Sequence, residues 1–139
     1  MKATKEFTLE IITPSHIVFR GPVTYVRVPG IYGYLGILYG HAPFITALTI
    51  GEIRIQIKTG EMMYYATSGG MLEVLANKVT ILAETAENAE SIDVTRATQA
   101  KERALERLKQ DDPYTNIDRA RLSLTKALNR IRVKATIAE

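Results

Sequence analysis

The stretch Glu52-Ile53-Arg54-Ile55-Gln56-Ile57-Lys58 alternates polar and apolar side chains without interruption. Successive side chains of a β-strand point to opposite faces, so the isoleucines face one way and the charged and amide groups face the other. This pattern predicts a strand in an antiparallel sheet that has one face in the core and the other face in water.

The same two-residue period continues through residues 1–84, where glycine, proline and asparagine separate short apolar runs. Turn signals of this kind stand at Thr13-Pro14, Gly21-Pro22, Ser68-Gly69-Gly70 and Asn77. Many short strands joined by tight turns predict a β-sandwich or flattened barrel. The other strand candidates cover residues 7–11, 17–20, 23–28, 45–49, 62–67, 71–75 and 78–84.

The period changes to that of a helix after Glu84, which divides the chain into residues 1–86 and 87–139. Ser91 is the predicted N-cap of the first helix, with Asp93 in its first turn, and Asp111-Asp112-Pro113 ends it. A second amphipathic helix follows, so an antiparallel hairpin is expected. The hairpin is predicted to be movable, because alanine contacts bury little area at about 25 cal/mol per Å². The facing positions are Ala97, Ala100, Ala104, Leu108, Ile117, Ala120, Leu124, Ala127, Leu128 and Ile131.

Composition indicates a soluble chain with one domain, or one domain and a small appendage. Of its 139 residues 46% are hydrophobic and 24% are charged, and it has no cysteine. It shows no apolar run long enough to span a membrane and no secretory signal, so contact with a membrane is expected only through partners. The net charge of +3 comes from the last helix. Charge alone leaves open whether that helix binds an acidic partner or is simply solvated.

No catalytic signature is present. His16 and His41 are the only histidines, and neither has the spacing of a zinc site. The serine of Ser68-Gly69-Gly70 is not in a nucleophile elbow, and the glycines between Pro29 and His41 lack the lysine and hydroxyl group of a phosphate-binding loop. We therefore expect no enzyme activity, no catalytic residue and no metal site.

Two regions are candidates for binding. The glycine-rich loop of residues 29–41 is crowded with apolar and aromatic side chains, which either enter the core or meet a partner. In the first helix Asp93, Arg96, Ala97 and Arg103 share a face, and the second helix carries a basic stripe. If the charged faces of the two helices converge, they suit the binding of adenine and phosphates. If they stay apart, their charges are simply solvated, and the spacing alone leaves both interpretations open. The stripe consists of Arg119, Lys126 and Arg130.

An ordered set of short motifs resembles the epsilon subunit of bacterial F-type ATP synthases over nearly the whole chain. No single motif is specific, but their order and distances together are. They are Thr13-Pro14, Val18-Phe19-Arg20-Gly21, Gly36-Ile37-Leu38-Tyr39-Gly40-His41-Ala42-Pro43, the segment from Ser68 to Val74, Val79-Thr80-Ile81-Leu82-Ala83-Glu84, and the segment from Leu128 to Val133.

The resemblance implies a β-sandwich of about ten strands followed by a C-terminal antiparallel two-helix hairpin. It implies a non-catalytic subunit at the cytoplasmic face of the bacterial plasma membrane, whose sandwich binds the gamma subunit and the c-ring. Tyr34 and His41 are the expected c-ring contacts. The extended hairpin would meet the alpha and beta subunits and inhibit ATP hydrolysis. No nucleic-acid partner and no direct membrane insertion are implied.

The resemblance also implies that ATP is a regulatory ligand, with any magnesium requirement left open. The segment from Ile92 to Ala97, including Asp93 and Arg96, matches every fixed position of the ATP-binding motif of some bacterial members. Glu87, Arg103, Lys126 and Arg130 fall at the remaining binding positions, although strong binders have arginine in place of Lys126. Two alternatives stay open. One is a purely structural stalk adaptor, and the other is an unrelated sandwich that binds nucleic acid with a steep salt dependence.

Overall fold

The computed structural model describes residues 5–110 and 112–138, which form two compact units divided between Asn88 and Ala89. Strands make up the first unit, and a 3₁₀ turn (Ala89–Ser91) and two α-helices make up the second. The predicted sandwich of about ten strands followed by a C-terminal antiparallel helical hairpin is confirmed. Asp111 of the predicted helix stop lies outside the described residues.

The first unit consists of two five-stranded layers. One layer has the order β4-β3-β6-β7-β10 and the other β5-β8-β9-β1-β2; the layers are joined where Gly30 pairs with Leu48. All paired strands are antiparallel except β1 and β9. The strands are β1 Phe7–Ile12, β2 Ile17–Val23, β3 Tyr25–Gly30, β4 Gly33–Ile37, β5 Phe44–Leu48, β6 Gly51–Gln56, β7 Met62–Thr67, β8 Gly70–Leu75, β9 Lys78–Ala83 and β10 Ala86–Asn88.

The alternating pattern places the core as expected. Ile53 and Ile55 of β6 are fully buried, whereas Glu52, Arg54 and Gln56 are only partly covered. Apolar side chains of both layers meet in one cluster, which supplies the main stabilisation of this unit. Its fully buried members include Leu9, Ile11, Val23, Val26, Val28, Ile53, Ile55, Leu72 and Ile81.

The structure differs from the predicted strands at three places. Residues 29–41, predicted to be a loop, contain β4. This strand forms a hairpin with β3, in which Val26 pairs with Ile37 at one end and Gly30 pairs with Gly33 at the other. The short strand β10 was not predicted. β2 continues through Pro22 instead of ending before it, because β2 is an edge strand and the missing N–H of proline breaks no ladder on that side.

The second unit begins its first helix later than predicted. α1 spans Val94–Lys109, and its N-cap is Asp93, whose carboxylate accepts a hydrogen bond from the Arg96 N–H at 3.1 Å. Ser91 lies in the 3₁₀ turn and is not the cap. The second helix, α2, spans Ile117–Thr136 and is capped in the same way by Asn116.

Alanines close the hairpin. Ala97 and Ala104 of α1, and Ala120 and Ala127 of α2, are buried, and we call these four the alanine seam. Leu105, Leu122 and Leu128 remain exposed on the same helices. The seam therefore lets the helices approach closely but buries little apolar area, while larger side chains are left uncovered.

We expect Gly70→Ala to destabilise the sandwich by about 2–4 kcal/mol. Gly70 has a φ of +150°, and a Cβ there would overlap the Leu82 carbonyl oxygen and lie 2.9 Å from the Cα of Ala83. Gly60→Ala is the matched control, because Gly60 has a φ of +92° but open space around it. Urea unfolding measures both; equal losses for the two variants would contradict the steric argument.

Candidate functional site

An exposed row of apolar side chains crosses all five strands of the β5-β8-β9-β1-β2 layer. Met71 pairs with Leu82, Leu82 pairs with Ile12, and their side chains lie on the outer face. Met71 is 44% exposed and Leu82 is 54% exposed. A contiguous exposed apolar surface of this kind marks a site of protein association. The members of this apolar row are Ala47, Met71, Leu82, Ile12 and Ile17.

An apolar groove lies on the same layer. It has a volume of ≈ 370 Å³, and Phe44, Ile45 and Leu75 are its exposed apolar members. Pro43, Glu73 and Val74 complete the lining, so Glu73 is its only charged side chain. The groove offers room for an apolar side chain of a partner.

A charged cluster stands beside the apolar row. Glu10 on β1 pairs with Lys78 on β9 at 3.1 Å and with Arg20 on β2 at 3.2 Å. The hydrogen bond from Lys78, and then that from Arg20, lower the pKa of the Glu10 carboxyl. The cluster spans three adjacent strands and its two cations are exposed, so its contribution to stability is small and sensitive to salt.

Tyr34, an expected c-ring contact, is held in place by two interactions. The guanidinium of Arg27 lies 4.1 Å from the centre of its ring, and its hydroxyl accepts a hydrogen bond from the Glu52 N–H at 3.1 Å. Its ring remains 46% exposed. Next to it, at the tip of the β3–β4 hairpin, Ile31 and Tyr32 are more exposed still.

His41, the other expected c-ring contact, follows the opposite end of β4. Its Nδ1 lies 2.7 Å from the Ala42 carbonyl oxygen, and its ring packs edge-on against Phe44 with centroids 5.8 Å apart. Because Tyr34 is at the start of β4 and His41 comes after its end, a partner must extend along the strand to contact both. The structure does not bring them together.

In the second unit the expected ATP-binding side chains flank the alanine seam. Arg96 and Arg103 each precede a seam alanine of α1, and Lys126 precedes a seam alanine of α2. In two antiparallel right-handed helices that face each other, residues just before the facing positions fall on the same side. Arg130, three residues after Ala127, also lies on that side. Arg121, which follows Ala120, lies on the opposite side.

Three of these cations have no carboxylate partner among the described residues. Within the described part of the chain, Arg96, Arg103 and Lys126 make no ion pair with a carboxylate. α1 and α2 together carry eleven basic and three acidic side chains. Uncompensated arginine and lysine groups on one side of a hairpin favour the binding of an anion.

The remaining expected ATP-binding residues are placed differently. Ile92 is 3% exposed and Ala97 is 0% exposed, so neither side chain is open to a ligand in this arrangement of the helices. Asp93 is engaged as the cap of α1 but remains exposed. Glu87 lies in β10, in the first unit.

A second cavity lies at the loop end of the hairpin. It has a volume of ≈ 350 Å³ and contains Arg119 of the predicted basic stripe but none of the other expected ligand residues. Among the described residues, no group of three or more His, Cys, Asp or Glu side chains could hold a metal ion. None of the helices described is both long and apolar enough to cross a membrane.

Comparison with known proteins accounts for both units. Residues 6–89 match the family model "ATP synthase, Delta/Epsilon chain, beta-sandwich domain", and residues 90–135 match "ATP synthase, Delta/Epsilon chain, long alpha-helix domain". The ATP synthase epsilon chain of Syntrophomonas wolfei is 45% identical over 130 residues, which cover 94% of this chain and 95% of that one. That of Koribacter versatilis is 51% identical over 107 residues, covering 77% and 75%.

A solved structure has the same fold. A chain in the mitochondrial ATP synthase of Euglena gracilis (OSCP/F1/c-ring) superposes with a TM-score of 0.80, at 21% identity, over 99% of this chain and 82% of that one. The two family matches define a subunit of the ATP synthase type. The chain belongs to the ATP synthase delta/epsilon family, and the bacterial relatives it matches are epsilon chains.

We expect Asp93→Ala to destabilise the second unit by about 1 kcal/mol, because it removes the cap of α1. Asp93→Asn should restore most of this loss, since the amide oxygen can accept the same hydrogen bond from Arg96. Helical circular dichroism during thermal unfolding measures the effect. If Asp93→Asn were as destabilised as Asp93→Ala, Asp93 would stabilise α1 through its charge and not through the capping hydrogen bond.

Proposed function

We propose that this chain is a non-catalytic rotor subunit of the ATP synthase central stalk, which couples proton flow to ATP synthesis. Its sandwich docks onto the gamma subunit and the c-ring, and its hairpin inhibits ATP hydrolysis when extended. The observation that carries the docking role is the exposed apolar row on the β5-β8-β9-β1-β2 layer. As part of the complex the chain would lie peripherally at the cytoplasmic face of the bacterial plasma membrane.

The apolar row suits a protein partner such as the gamma subunit. It is continuous across five strands, and the Lys78–Glu10–Arg20 cluster borders it with charged groups. A partly apolar surface with a charged rim is the usual anatomy of a protein interface. Burying Met71 and Leu82 against gamma would contribute most to affinity, because each removes a large exposed apolar side chain from water.

The c-ring is the proposed partner of the β4 hairpin. The Arg27 stack and the Glu52 hydrogen bond fix Tyr34 in one orientation, which lowers the entropy cost of binding. His41 remains the second proposed c-ring contact, at the other end of β4. Whether one partner reaches both residues depends on how far it extends along that strand.

Inhibition is proposed for an extended form of the hairpin. The alanine seam stabilises the closed hairpin only weakly, and exposed Leu105, Leu122 and Leu128 are available for another contact. α2 alone carries six basic side chains and one acidic. Such a helix suits an acidic surface, which the resemblance assigns to the catalytic beta subunits beside alpha.

ATP is the proposed ligand of the closed hairpin, and the uncompensated Arg96, Arg103 and Lys126 support this. A ligand shifts a conformational equilibrium only through its different affinity for the two states. With a dissociation constant of ~1 µM and ATP at ~1 mM, the closed state would gain about 4 kcal/mol. Moving the population from 1:99 to 99:1 requires about 5.5 kcal/mol, so micromolar binding would control most of the equilibrium.

The alternative is a structural stalk adaptor that senses no nucleotide. In that case the basic side of the hairpin is solvated, or it binds only the beta subunit. The buried Ile92 and Ala97 favour this alternative, since neither can touch a ligand without movement of the helices. The two functions differ in one measurable property, which is ATP affinity.

We expect Leu82→Glu, and equally Met71→Glu, to weaken binding to a purified gamma–c-ring subcomplex at least tenfold. A carboxylate in the apolar row would lose its hydration without gaining a partner. Thr59→Glu, in the β6–β7 turn of the other layer, adds the same charge and should bind normally. Surface plasmon resonance with the full chain measures the three affinities, and normal binding by both row variants would exclude this docking face.

We expect Arg96→Ala and Lys126→Ala each to weaken ATP binding about tenfold or more, because each removes a charge-assisted hydrogen bond. Lys126→Arg should strengthen binding several-fold, since its planar fork can bind a phosphate with two hydrogen bonds. Arg121→Ala is the control, as it removes equal charge from the other side of the seam. Calorimetric titration of ATP, with and without magnesium, measures these effects.

Two results would contradict the nucleotide proposal. If Arg121→Ala weakened binding as much as Arg96→Ala, ATP would be attracted by net charge and not by the proposed side of the hairpin. If the unaltered chain took up no ATP at millimolar concentration, the structural adaptor would be the remaining function.

A further inference from the structure

We propose that Asn77 is a positioning residue for the apolar groove of the β5-β8-β9-β1-β2 layer, which would receive an apolar side chain of the gamma subunit; this role rests on the proposed function. The loop between β4 and β5 (residues 38–43) leads directly into one wall of that groove, formed by Pro43 and Phe44. The other wall is β8, whose last residue, Leu75, lies next to the two-residue turn Ala76–Asn77. Asn77 connects the turn to the loop.

The connection is a side-chain hydrogen bond. The Gly40 N–H donates to Oδ1 of Asn77 at 2.9 Å, while the backbone carbonyl of Asn77 accepts from the Thr8 N–H at 3.1 Å. The Lys5 ammonium also lies 4.9 Å from the centre of the Tyr39 ring, so the bond from Gly40 is one of two hydrogen-bond or cation–π contacts between this loop and other segments of the described chain. The Asn77 side chain therefore ties the loop to the β8–β9 turn.

The backbone of the turn explains why asparagine suits this position. Ala76 and Asn77 have φ values of 49° and 60°, as in the tight hairpin turns that match the twist of antiparallel strands. Asparagine tolerates this left-handed conformation better than other side chains and carries an acceptor. The same residue can thus close the β8–β9 hairpin and fix the β4–β5 loop.

The consequence concerns the width of the groove. Without the hydrogen bond, the segment of residues 39–44 keeps the pairing of Phe44 with Val74 and the Lys5–Tyr39 contact, but Gly40 is released and must be ordered again when the gamma subunit binds. Ordering the loop costs about the free energy of one hydrogen bond, which corresponds to a dissociation constant about three- to tenfold larger.

Two substitutions separate the hydrogen bond from the turn. Asn77→Gly keeps the left-handed backbone and removes the acceptor, whereas Asn77→Asp keeps both. We expect Asn77→Gly to bind the gamma–c-ring subcomplex about three- to tenfold more weakly, and Asn77→Asp to bind like the unaltered chain. Thr85→Ala, which removes the exposed hydrogen bond to Ser68 at the other end of the sandwich, is the control.

Hydrogen exchange of the Gly40 amide, measured by NMR, reports the contact directly. We expect faster exchange in Asn77→Gly alone, with at most a small decrease in its urea midpoint, because only one exposed hydrogen bond is lost. Slow exchange in that variant, unchanged affinity despite fast exchange, or a lowered midpoint that accounts for the weaker binding would each overturn the positioning role. If the unaltered chain itself failed to bind the subcomplex, the proposed docking function would be overturned, and this inference with it.

Discussion

The backbone pairing of Gly30 with Leu48 joins the two layers of the sandwich, and the rest of the first unit depends on it. The hydrogen bonds from Thr49 to Pro29 and from Ile31 to Ala47 flank the joint. A Cβ at Gly30 would lie 2.8 Å from the Gly33 carbonyl oxygen and 2.9 Å from the side chain of Leu35. Glycine is therefore required at this position, where β3 ends, the chain turns back into β4, and the backbone pairs with β5. The outer face of the second layer, with its apolar row, follows from that closure.

Much of the fold could be predicted because it is encoded locally. Alternation identified β6, and the turn residues bounded most other strands, since each signal acts over a few positions. β4 could not be found this way, because the residues at its exposed positions are tyrosine and glycine and the pattern resembles a loop. β10 is three residues long and is defined by its pairing with β7. The first cap was assigned to Ser91 because serine and Asp93 are both good caps, and only backbone geometry decides between them.

The candidate sites divide in the same way. Helical spacing places Arg96 and Arg103 on one side of α1, and antiparallel packing places Lys126 and Arg130 on the same side of the hairpin. This grouping of cations can therefore be predicted from the sequence. The burial of Ile92 could not be predicted from the sequence, because it depends on tertiary packing. The apolar row was missed entirely: Ile12, Met71 and Leu82 are far apart in sequence, and only the register of three strands aligns them. Asn77 showed only a turn signal, since its contact with Gly40 is a matter of tertiary structure.

The alanine seam contributes much less free energy of burial to the second unit than the core cluster contributes to the first. The sandwich buries many valine, leucine and isoleucine side chains, each contributing about 1.5–3 kcal/mol, whereas each seam alanine buries a single methyl group worth about 0.8 kcal/mol. The contact through the alanine seam itself is therefore weak enough for one ligand or one new interface to offset. Parting the layers of the sandwich would cost far more. In the proposed function, such a subunit would keep a fixed attachment through its strands while its helices change partner, and the exposed leucines of α1 and α2 would form the surface for that change.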